Sequence, residues 1–256
     1  TTEQSATSTS DLAKQAAAKG APSGSGFLAI EQTAGRGRRG RQWLSQKGGM
    51  YLSVLLRPTI KKKYWFALSF AASLAALDTV RHQLARHFDN QHMPQTGLKW
   101  PNDVFMSGGK IAGILLEAEG PTLVVGSGIN IAPVQASVHQ GTNHEVSDHQ
   151  VVTPAALADI WPQTAGNLPT PHQLARCFMT RLFYWYSKFE HSGFPPIRDE
   201  WLGNALFLGK VLSVWNGTKK ISGVFHDLGM DGALLLLDDS GHTHHITTGD
   251  VQLLDN

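Results

Sequence analysis

The sequence predicts an α+β protein in which helices flank a mixed or antiparallel sheet and a small SH3-like β-barrel follows. Three observations lead to this prediction. Candidate strands and helices do not alternate regularly, as they would in a parallel β–α–β sheet. Apolar residues make up 41% of the 256 residues, which is enough to bury a sizeable core. The last part of the chain changes to short strands separated by turns, so we divide it into residues 1–203 and 204–256.

The N-terminal quarter begins with a predicted helix over residues 10–20, which Ser10 can cap and Gly20 can close. Residues 27–31 and 50–57 are apolar runs of strand length. The segment between these two strands is rich in glycine and arginine and has no useful periodicity, so it is predicted to be a loop.

The middle of the chain predicts a long helix and then several strands. Residues 64–87 carry the apolar spacing of a helix. Short strand candidates follow at 97–100, 104–106, 110–117 and 122–131, and a Ser-Gly-Gly turn between the second and third predicts a hairpin.

The C-terminal half predicts helices first and strands afterwards. Residues 133–152 are polar and read as a long connection. Helices are predicted at 154–163 and 170–191, and residues 195–203 close this helical region. The tail then offers strand candidates at 210–215, 220–225, 233–237 and 243–247.

Composition limits the classes of function. The chain has 22 Lys and Arg against 20 Asp and Glu, so its whole surface is not a polyanion-binding surface, although a local basic patch is allowed. The single Cys177 excludes an internal disulfide and a Cys-based zinc site. The longest apolar run, residues 64–77, is too short to span a bilayer. We expect a soluble cytoplasmic protein.

The first chemical motif is a glycine-rich arginine loop, Gln32-Thr-Ala-Gly-Arg-Gly-Arg-Arg-Gly-Arg-Gln-Trp43. Glycine lets backbone N–H groups approach an anion, and guanidinium groups donate charge-assisted hydrogen bonds to phosphate. No helix pattern follows the loop, so it is not a dinucleotide fingerprint. Composition alone leaves open a solvated basic loop or an RNA-binding tract.

Two further motifs lie downstream. Lys99-Trp-Pro-Asn-Asp103, with Lys110 nearby, can neutralise a phosphate or carboxylate, and its Asn and Asp can hold Mg²⁺ or a ribose. Gly126-Ser-Gly-Ile-Asn130 allows a ligand to approach closely. Each of these two motifs alone also fits a purely structural interpretation. Lys99–Asp103 could be a hairpin turn with an exposed lysine, and Gly126–Asn130 could be a strand weakened by its glycines.

Together, in this order and spacing, the motifs resemble the biotin–protein ligase (biotin–[acetyl-CoA-carboxylase] ligase) family. The resemblance also rests on Gly-Lys-Ile-Ala-Gly-Ile-Leu-Leu-Glu117 and covers about residues 5 to 256. It implies a class II synthetase-like catalytic domain with a small C-terminal barrel. It further implies that biotin and Mg-ATP form biotinyl-5′-AMP, and that biotin then passes to a lysine of a biotin carboxyl carrier protein.

The resemblance also implies site residues. The implied catalytic residues are Lys99, Arg36 and Arg38. The implied biotin-binding residues are Ser8, Thr9, Ser10, Gln32, Gly35, Arg36, Gly37, Arg38, Lys99 and Gly113. The implied ATP-binding residues are Arg36, Arg38, Arg39, Arg41, Trp43, Lys99, Asn102, Lys110 and Asn130. The resemblance implies Mg²⁺ bound with ATP, and no metal ligand is assigned. Separately, the recurring histidines at 82, 87 and 92 and at 139, 144 and 149 do not have the spacing of a helical metal site.

The sequence departs from the family pattern in two places. The family usually has Ser/Thr-Thr-Asn at the first site, and the third residue here is Ser10. The His-rich stretch 139–149 has no assigned role. Few residues precede Ser8, so we expect a monofunctional ligase without the winged-helix domain of some members and without DNA binding. No membrane partner is expected, and both monomer and homodimer stay open.

Two alternative functions stay open from the sequence. A lipoate–protein ligase shares the adenylation chemistry, but the Arg-Arg-x-x-Gly-Gly-Gly loop typical of that family is missing. An RNA-binding module would need a broad basic face. The tail from residue 204 holds more Asp than Lys and has no Arg, which argues against such a face.

Overall fold

A seven-stranded sheet forms the larger part of the computed structural model, which describes residues 1–134, 153–216 and 219–254. Its strands are β1 (Thr2–Glu3), β2 (Gly26–Ala29), β3 (Gly49–Leu56), β4 (Thr96–Lys99), β5 (Asp103–Met106), β6 (Gly109–Glu119) and β7 (Thr122–Asn130). The order is β1-β2-β3-β7-β6-β5-β4. β1 pairs with β2 in parallel, and the other neighbours are antiparallel. The predicted mixed sheet is therefore confirmed.

Helices cover both faces of this sheet. They are α1 (Thr9–Ala18), α2 (Ala67–Leu84), α3 (Pro171–Ser192) and α4 (Pro195–Gly203). Successive strand residues point to opposite faces, and β3 shows the result. Leu55 packs in a small cluster with Ala13 of α1, whereas Val54 and Leu56 belong to the main core with α2, α3 and α4. The N-terminus of α1 is thereby held against the sheet, where the candidate site forms.

The second sheet is small and antiparallel. Its strands are β8 (Val211–Asn216), β9 (Lys219–Leu228), β10 (Leu234–Leu237), β11 (Thr243–Ile246) and β12 (Val251–Leu253). The order is β11-β10-β9-β8-β12. This confirms a small barrel-like unit, although the end strands β11 and β12 do not pair within the described residues, so the sheet is not a closed ring.

Several local predictions were wrong. Residues 154–163 form no α-helix but two short 3₁₀ turns, Leu157–Asp159 and Gln163–Ala165. Pro162 ends the first stretch because it lacks an N–H. The cap of α1 is Ser8, not Ser10: its Oγ accepts from the Ser10 backbone N at 3.3 Å. The strands β1 and β12 were not predicted, because each is too short to show a period.

Two remaining expectations concern the membrane and the His-rich stretch. Within the described residues, no helix has the length and apolar character that crossing a bilayer requires. The stretch 139–149 lies outside the described residues.

Candidate active site

One cavity of about 220 Å³ collects most of the predicted site residues. Residues from α1, the arginine loop, β3, β6, β7, the β4–β5 turn and the second sheet line it. The predicted residues in its wall are Ser8, Thr9, Ser10, Gln32, Arg36, Gly37, Arg38, Arg41, Trp43, Lys99, Asn102, Lys110 and Gly113. Motifs distant in sequence therefore meet in one place.

One part of the wall, the neutral end, is made of hydroxyls and an amide. The Oγ atom of Ser53 lies 2.8 Å from Thr9 Oγ1 and 3.2 Å from Ser10 Oγ. The Oε1 atom of Gln32 accepts from the Thr9 backbone N at 2.8 Å and from Thr9 Oγ1 at 3.1 Å. The Nε2 atom of Gln32 donates to Ser45 Oγ at 2.8 Å. This network fixes the orientation of the Gln32 amide.

Counting donors shows what the neutral end can offer a ligand. Gln32 Nε2 carries two N–H groups, and only one is used within the described residues. The Ser8 hydroxyl accepts from Ser10 N, and its own proton is not committed there. The neutral end therefore presents N–H and O–H donors without a net charge.

The other part of the wall, the charged end, holds four cations and two carboxylates. Lys110 Nζ lies 2.7 Å from Asp103 Oδ1, and Arg41 Nη2 lies 2.8 Å from Asp250 Oδ1. Arg38 Nη1 donates to the oxygen of Asn102 at 3.3 Å, and Lys99 completes the set. The excess of cations favours an anionic ligand.

Lys99 is the cation with the fewest partners. It is partly buried at the end of β4, and its Nζ lies 5.3 Å from the centre of the Phe105 ring. In the described ranges no carboxylate forms an ion pair with it. Burial lowers its pKa, the charge of Asp103 opposes this, and the charge of Lys110 lowers the pKa further. An anion beside Lys99 would offset both the burial of its charge and the repulsion from Lys110.

The indole of Trp43 packs on two glycines. A Cβ atom at Gly128 would lie 2.5 Å from Trp43 Nε1, and one at Gly113 would lie 2.9 Å from the ring. Lys110 Nζ sits 5.1 Å from the ring centre, in cation–π range. Glycine is therefore required at both positions for Trp43 to form this wall.

Arg36 is held by carboxylates at the edge of the cavity. Its two Nη atoms bind Asp11 at 3.0 and 2.6 Å, and Nη2 lies 3.7 Å from Glu117 Oε1. Lys14 binds the same Glu117 oxygen at 2.6 Å. The hydrogen bond from Arg36 lowers the pKa of Asp11 and raises that of Arg36. The guanidinium thus fastens the loop to α1.

Three predicted site residues do not line the cavity. Arg39 is half exposed and lies 3.8 Å from Asp250. Asn130 donates from Nδ2 to the Ala155 oxygen at 2.9 Å. Gly35 is buried where a Cβ would lie 2.4 Å from Ser45 Oγ. Two of the three are joined to lining residues: Asn130 Nδ2 also donates to the Lys110 oxygen at 3.4 Å, and the Gly35 oxygen accepts from the Trp43 backbone N at 2.9 Å.

The comparisons with known proteins agree with this geometry. The sequence pattern of the biotin/lipoate A/B protein ligase family matches residues 3–131, a range that contains every predicted site residue. The chain belongs to this family. A biotin–[acetyl-CoA-carboxylase] ligase of Paracoccus denitrificans is 33% identical over 220 residues, covering 84% of each chain.

Solved structures of biotin protein ligases have the same fold. The enzyme of Aquifex aeolicus, in complex with biotin and ATP, matches with a TM-score of 0.77 and 26% identity over 100% of this chain and 98% of that one. The enzyme of Leishmania major, in complex with biotinyl-5-AMP, matches with a TM-score of 0.60 and 25% identity over 100% and 98%. These matches over the whole chain confirm the class II synthetase-like ligase fold that the motifs implied.

The sequence analysis did not predict every residue that lines the cavity. The missed lining residues include Ser53, Trp215, Asp250, Val251 and Gln252. Ser53 had a signal, because it is the only serine or threonine inside the apolar strand β3, and the structure buries it fully. The residues from the second sheet had none, since only the tertiary fold brings them to the arginine loop.

Proposed function

We propose that this chain is a biotin–protein ligase that makes biotinyl-5′-AMP from biotin and ATP and then biotinylates a lysine of a biotin carboxyl carrier protein. The observation that carries the proposal is the division of one cavity into a neutral end and a charged end. The relatives named above support biotin over lipoate and over RNA as the ligand.

The neutral end suits the head group of biotin. A ureido group is uncharged and needs both donors and acceptors when it is buried. The Ser8 hydroxyl and the second N–H of Gln32 supply donors, and the hydroxyls of Thr9 and Ser10 supply acceptors. The family usually has Asn where this chain has Ser10. We propose that the Ser10 hydroxyl takes over the hydrogen bonding of that Asn, and that the Ser53 hydroxyl, 3.2 Å away, holds it in place.

The charged end suits the triphosphate and the reacting carboxylate. In the first step a biotin carboxylate oxygen attacks the α-phosphorus, the bond to pyrophosphate breaks, and biotinyl-AMP forms. Two anions must meet for this step, so fixed cations are needed. We assign Lys99 to the oxygens that gain charge, and Arg38 to the phosphates beside it.

The second step transfers the acyl group. The carrier lysine attacks the carbonyl carbon of the mixed anhydride, AMP leaves with the bonding pair, and the amine gives up a proton. We propose that Trp43, Lys110 and Arg41 hold the nucleotide during this step and that Asn130 supports the wall through the Lys110 backbone oxygen, to which its Nδ2 donates at 3.4 Å. Arg36 keeps the loop in place through Asp11.

The protein does not provide a resident Mg²⁺ site in its described residues. No group of three or more His, Cys, Asp and Glu that could hold a metal occurs in residues 1–134, 153–216 and 219–254. Asp103 and Asp250 are bound to Lys110 and Arg41. This donor set does not fit a protein-built site, so we propose that Mg²⁺ arrives on the triphosphate, and we route no step through it.

The domain division and partners belong to the same proposal. We take residues 1–203 as the catalytic unit and 204–256 as the C-terminal unit, because α4 ends at Gly203 and β8 begins at Val211. Biotin carboxyl carrier protein is the proposed acceptor and DNA is not a proposed ligand.

Acyl-adenylate formation tests the proposal directly. The chain is incubated with [α-³²P]ATP and either biotin or lipoate, and the products are separated by chromatography. We expect a labelled adenylate with biotin and none above background with lipoate. An adenylate with lipoate alone would establish the lipoate ligase, and labelled product with neither acid would contradict both.

The lowered pKa of Lys99 predicts a pH dependence. A lysine with a lowered pKa loses its proton, and with it the charge that binds phosphate, at a lower pH than a free lysine does. We expect kcat/KM for ATP in adenylation, which reports the ligand-free enzyme, to fall on the alkaline side before an ordinary lysine would titrate. In Lys99→Arg the guanidinium stays charged, so its rate should hold to higher pH. Identical alkaline limbs in the two proteins would contradict the assignment.

A further inference from the structure

Asp250, from the second sheet, binds the arginine loop. It lies directly before β12, and its Oδ1 accepts from Arg41 Nη2 at 2.8 Å. Its Oδ2 lies 3.8 Å from Arg39 Nη1. The hydrogen bond joins residues separated by 209 positions in the sequence. One carboxylate of the second sheet therefore binds two of the four arginines of the loop.

The loop is fastened at two points by carboxylates from different units. Asp11 of α1 binds Arg36 at the start of the loop. Asp250 binds Arg39 and Arg41 farther along. Arg38 lies between these points, in the wall of the cavity. Four guanidiniums in one loop repel one another, and these two carboxylates offset part of that repulsion.

Asp250 is also close enough to the charged end to act on it. Its charge raises the pKa of Arg38 and that of Lys99, against the lowering by burial. Asp103, the other carboxylate of this end, acts on the same two cations. Asp250 and an incoming triphosphate are both anions, so they compete for the same arginines.

We propose that Asp250 is a positioning residue that fastens the arginine loop to the second sheet and thereby retains the acyl-adenylate in the cavity. It acts through Arg41 and Arg39. The retention part rests on the proposed function, whereas the fastening part does not. The second sheet then has a defined role, because it holds the lid of a site that the first sheet builds.

Because Asp250 is charged, its proposed role predicts a specific combination of changes in adenylate escape and in the KM for ATP. Without the carboxylate the loop opens more often, so more adenylate escapes. The same change removes an anion from the charged end, so the KM for ATP should fall or stay unchanged. A variant that merely damages the fold would raise both adenylate escape and KM. The pair is partly exposed, so we expect effects of about three- to tenfold.

The experiment compares Asp250→Asn with a matched control, Asp239→Asn, which changes an aspartate of the same C-terminal unit, in the turn after β10. Hydrogen exchange across residues 36–41 is measured first, without ligand. Free biotinyl-AMP in solution and the KM for ATP are measured next. We expect faster exchange, about three- to tenfold more free adenylate and no rise in KM in Asp250→Asn, wild-type behaviour in Asp239→Asn, and recovery in Asp250→Glu.

Each part has an outcome that overturns it. Wild-type exchange in Asp250→Asn would overturn the fastening. Faster exchange with unchanged adenylate escape would overturn the retention. A double variant with Arg41→Gln should exchange no faster than Asp250→Asn alone, and additive effects would show that the two side chains do not act together. If the wild-type protein forms no adenylate, the proposed function fails, while the exchange comparison still decides the fastening.

Discussion

Lys99→Ala is expected to slow the formation of biotinyl-AMP by about two to three orders of magnitude. Lys99 is a partly buried cation without an ion-pair partner among the described residues, and it lines the cavity to which we assign the reacting carboxylate and α-phosphate. A charge-assisted contact that strengthens as charge develops contributes a few kcal/mol to the transition state, which corresponds to this loss of rate. Single-turnover adenylation with saturating biotin and ATP measures it.

Biotin binding should weaken much less than adenylation in this variant. The head group is assigned to the hydroxyls and the amide of the neutral end, which Lys99→Ala does not alter. Equilibrium binding of biotin gives this comparison. Lys19→Ala, an exposed lysine just after α1, is the matched control and should behave as wild type. Adenylation at a near wild-type rate in Lys99→Ala would remove Lys99 from the mechanism.

The sequence was most informative where function depends on short motifs. The Lys-Trp-Pro-Asn-Asp motif keeps Lys99 at a strand end and Asn102 in the following turn, and both reach the cavity. Long apolar patterns also predicted α2 and α3, because a helical period repeated over several turns is a strong local signal. These features depend on neighbours in the sequence, so they can be seen without the fold.

The partners of the arginine loop could not be predicted in this way. Asp11 and Asp250 lie on opposite sides of the loop in sequence, and neither belongs to a motif. Only the tertiary fold brings them to the guanidiniums. The loop therefore looked like a segment of unbalanced like charges, whereas the structure gives Arg36 and Arg41 a carboxylate each.

Ser53 shows a different limit of sequence reasoning. A single serine inside an apolar strand can be noticed in the sequence, but the pattern does not show which side chains it faces across the fold. The fold places its hydroxyl between those of Thr9 and Ser10. A fully buried hydroxyl needs partners, so the three side chains specify one another's positions.

Arg38→Gly is expected to form the adenylate still, with a smaller loss of rate than Lys99→Ala, and to release the intermediate about tenfold or more faster. The guanidinium of Arg38 is partly buried, and its pKa is lowered by burial and raised by Asp103 and Asp250. Its bond to Asn102, at 3.3 Å, links the loop to the β4–β5 turn across the cavity. Without this link the loop closes less well over a mixed anhydride that water hydrolyses readily.

Escape from the cavity can be followed by two measurements on Arg38→Gly. Free biotinyl-AMP should appear in solution, and lysines of unrelated proteins should become biotinylated without a carrier. Arg86→Gly, which removes an exposed arginine beyond the end of α2, should show neither effect. Retention of the intermediate at the wild-type level would show that Arg38 is not part of the lid.

Hydrogen exchange across residues 36–49 tests the lid itself. The loop has few apolar anchors, and Gly40 and Arg39 adopt left-handed backbone conformations with φ of 73° and 57°. Its partly exposed ion pairs slow its opening without preventing it, because such pairs are weak in water. Biotin and ATP supply the missing anion and contact surface, so protection should rise strongly when both are added and rise less in Arg38→Gly. Strong protection in the ligand-free protein that does not change with ligand would mean that this loop is a fixed wall, and the intermediate would then have to be retained by some other part of the cavity.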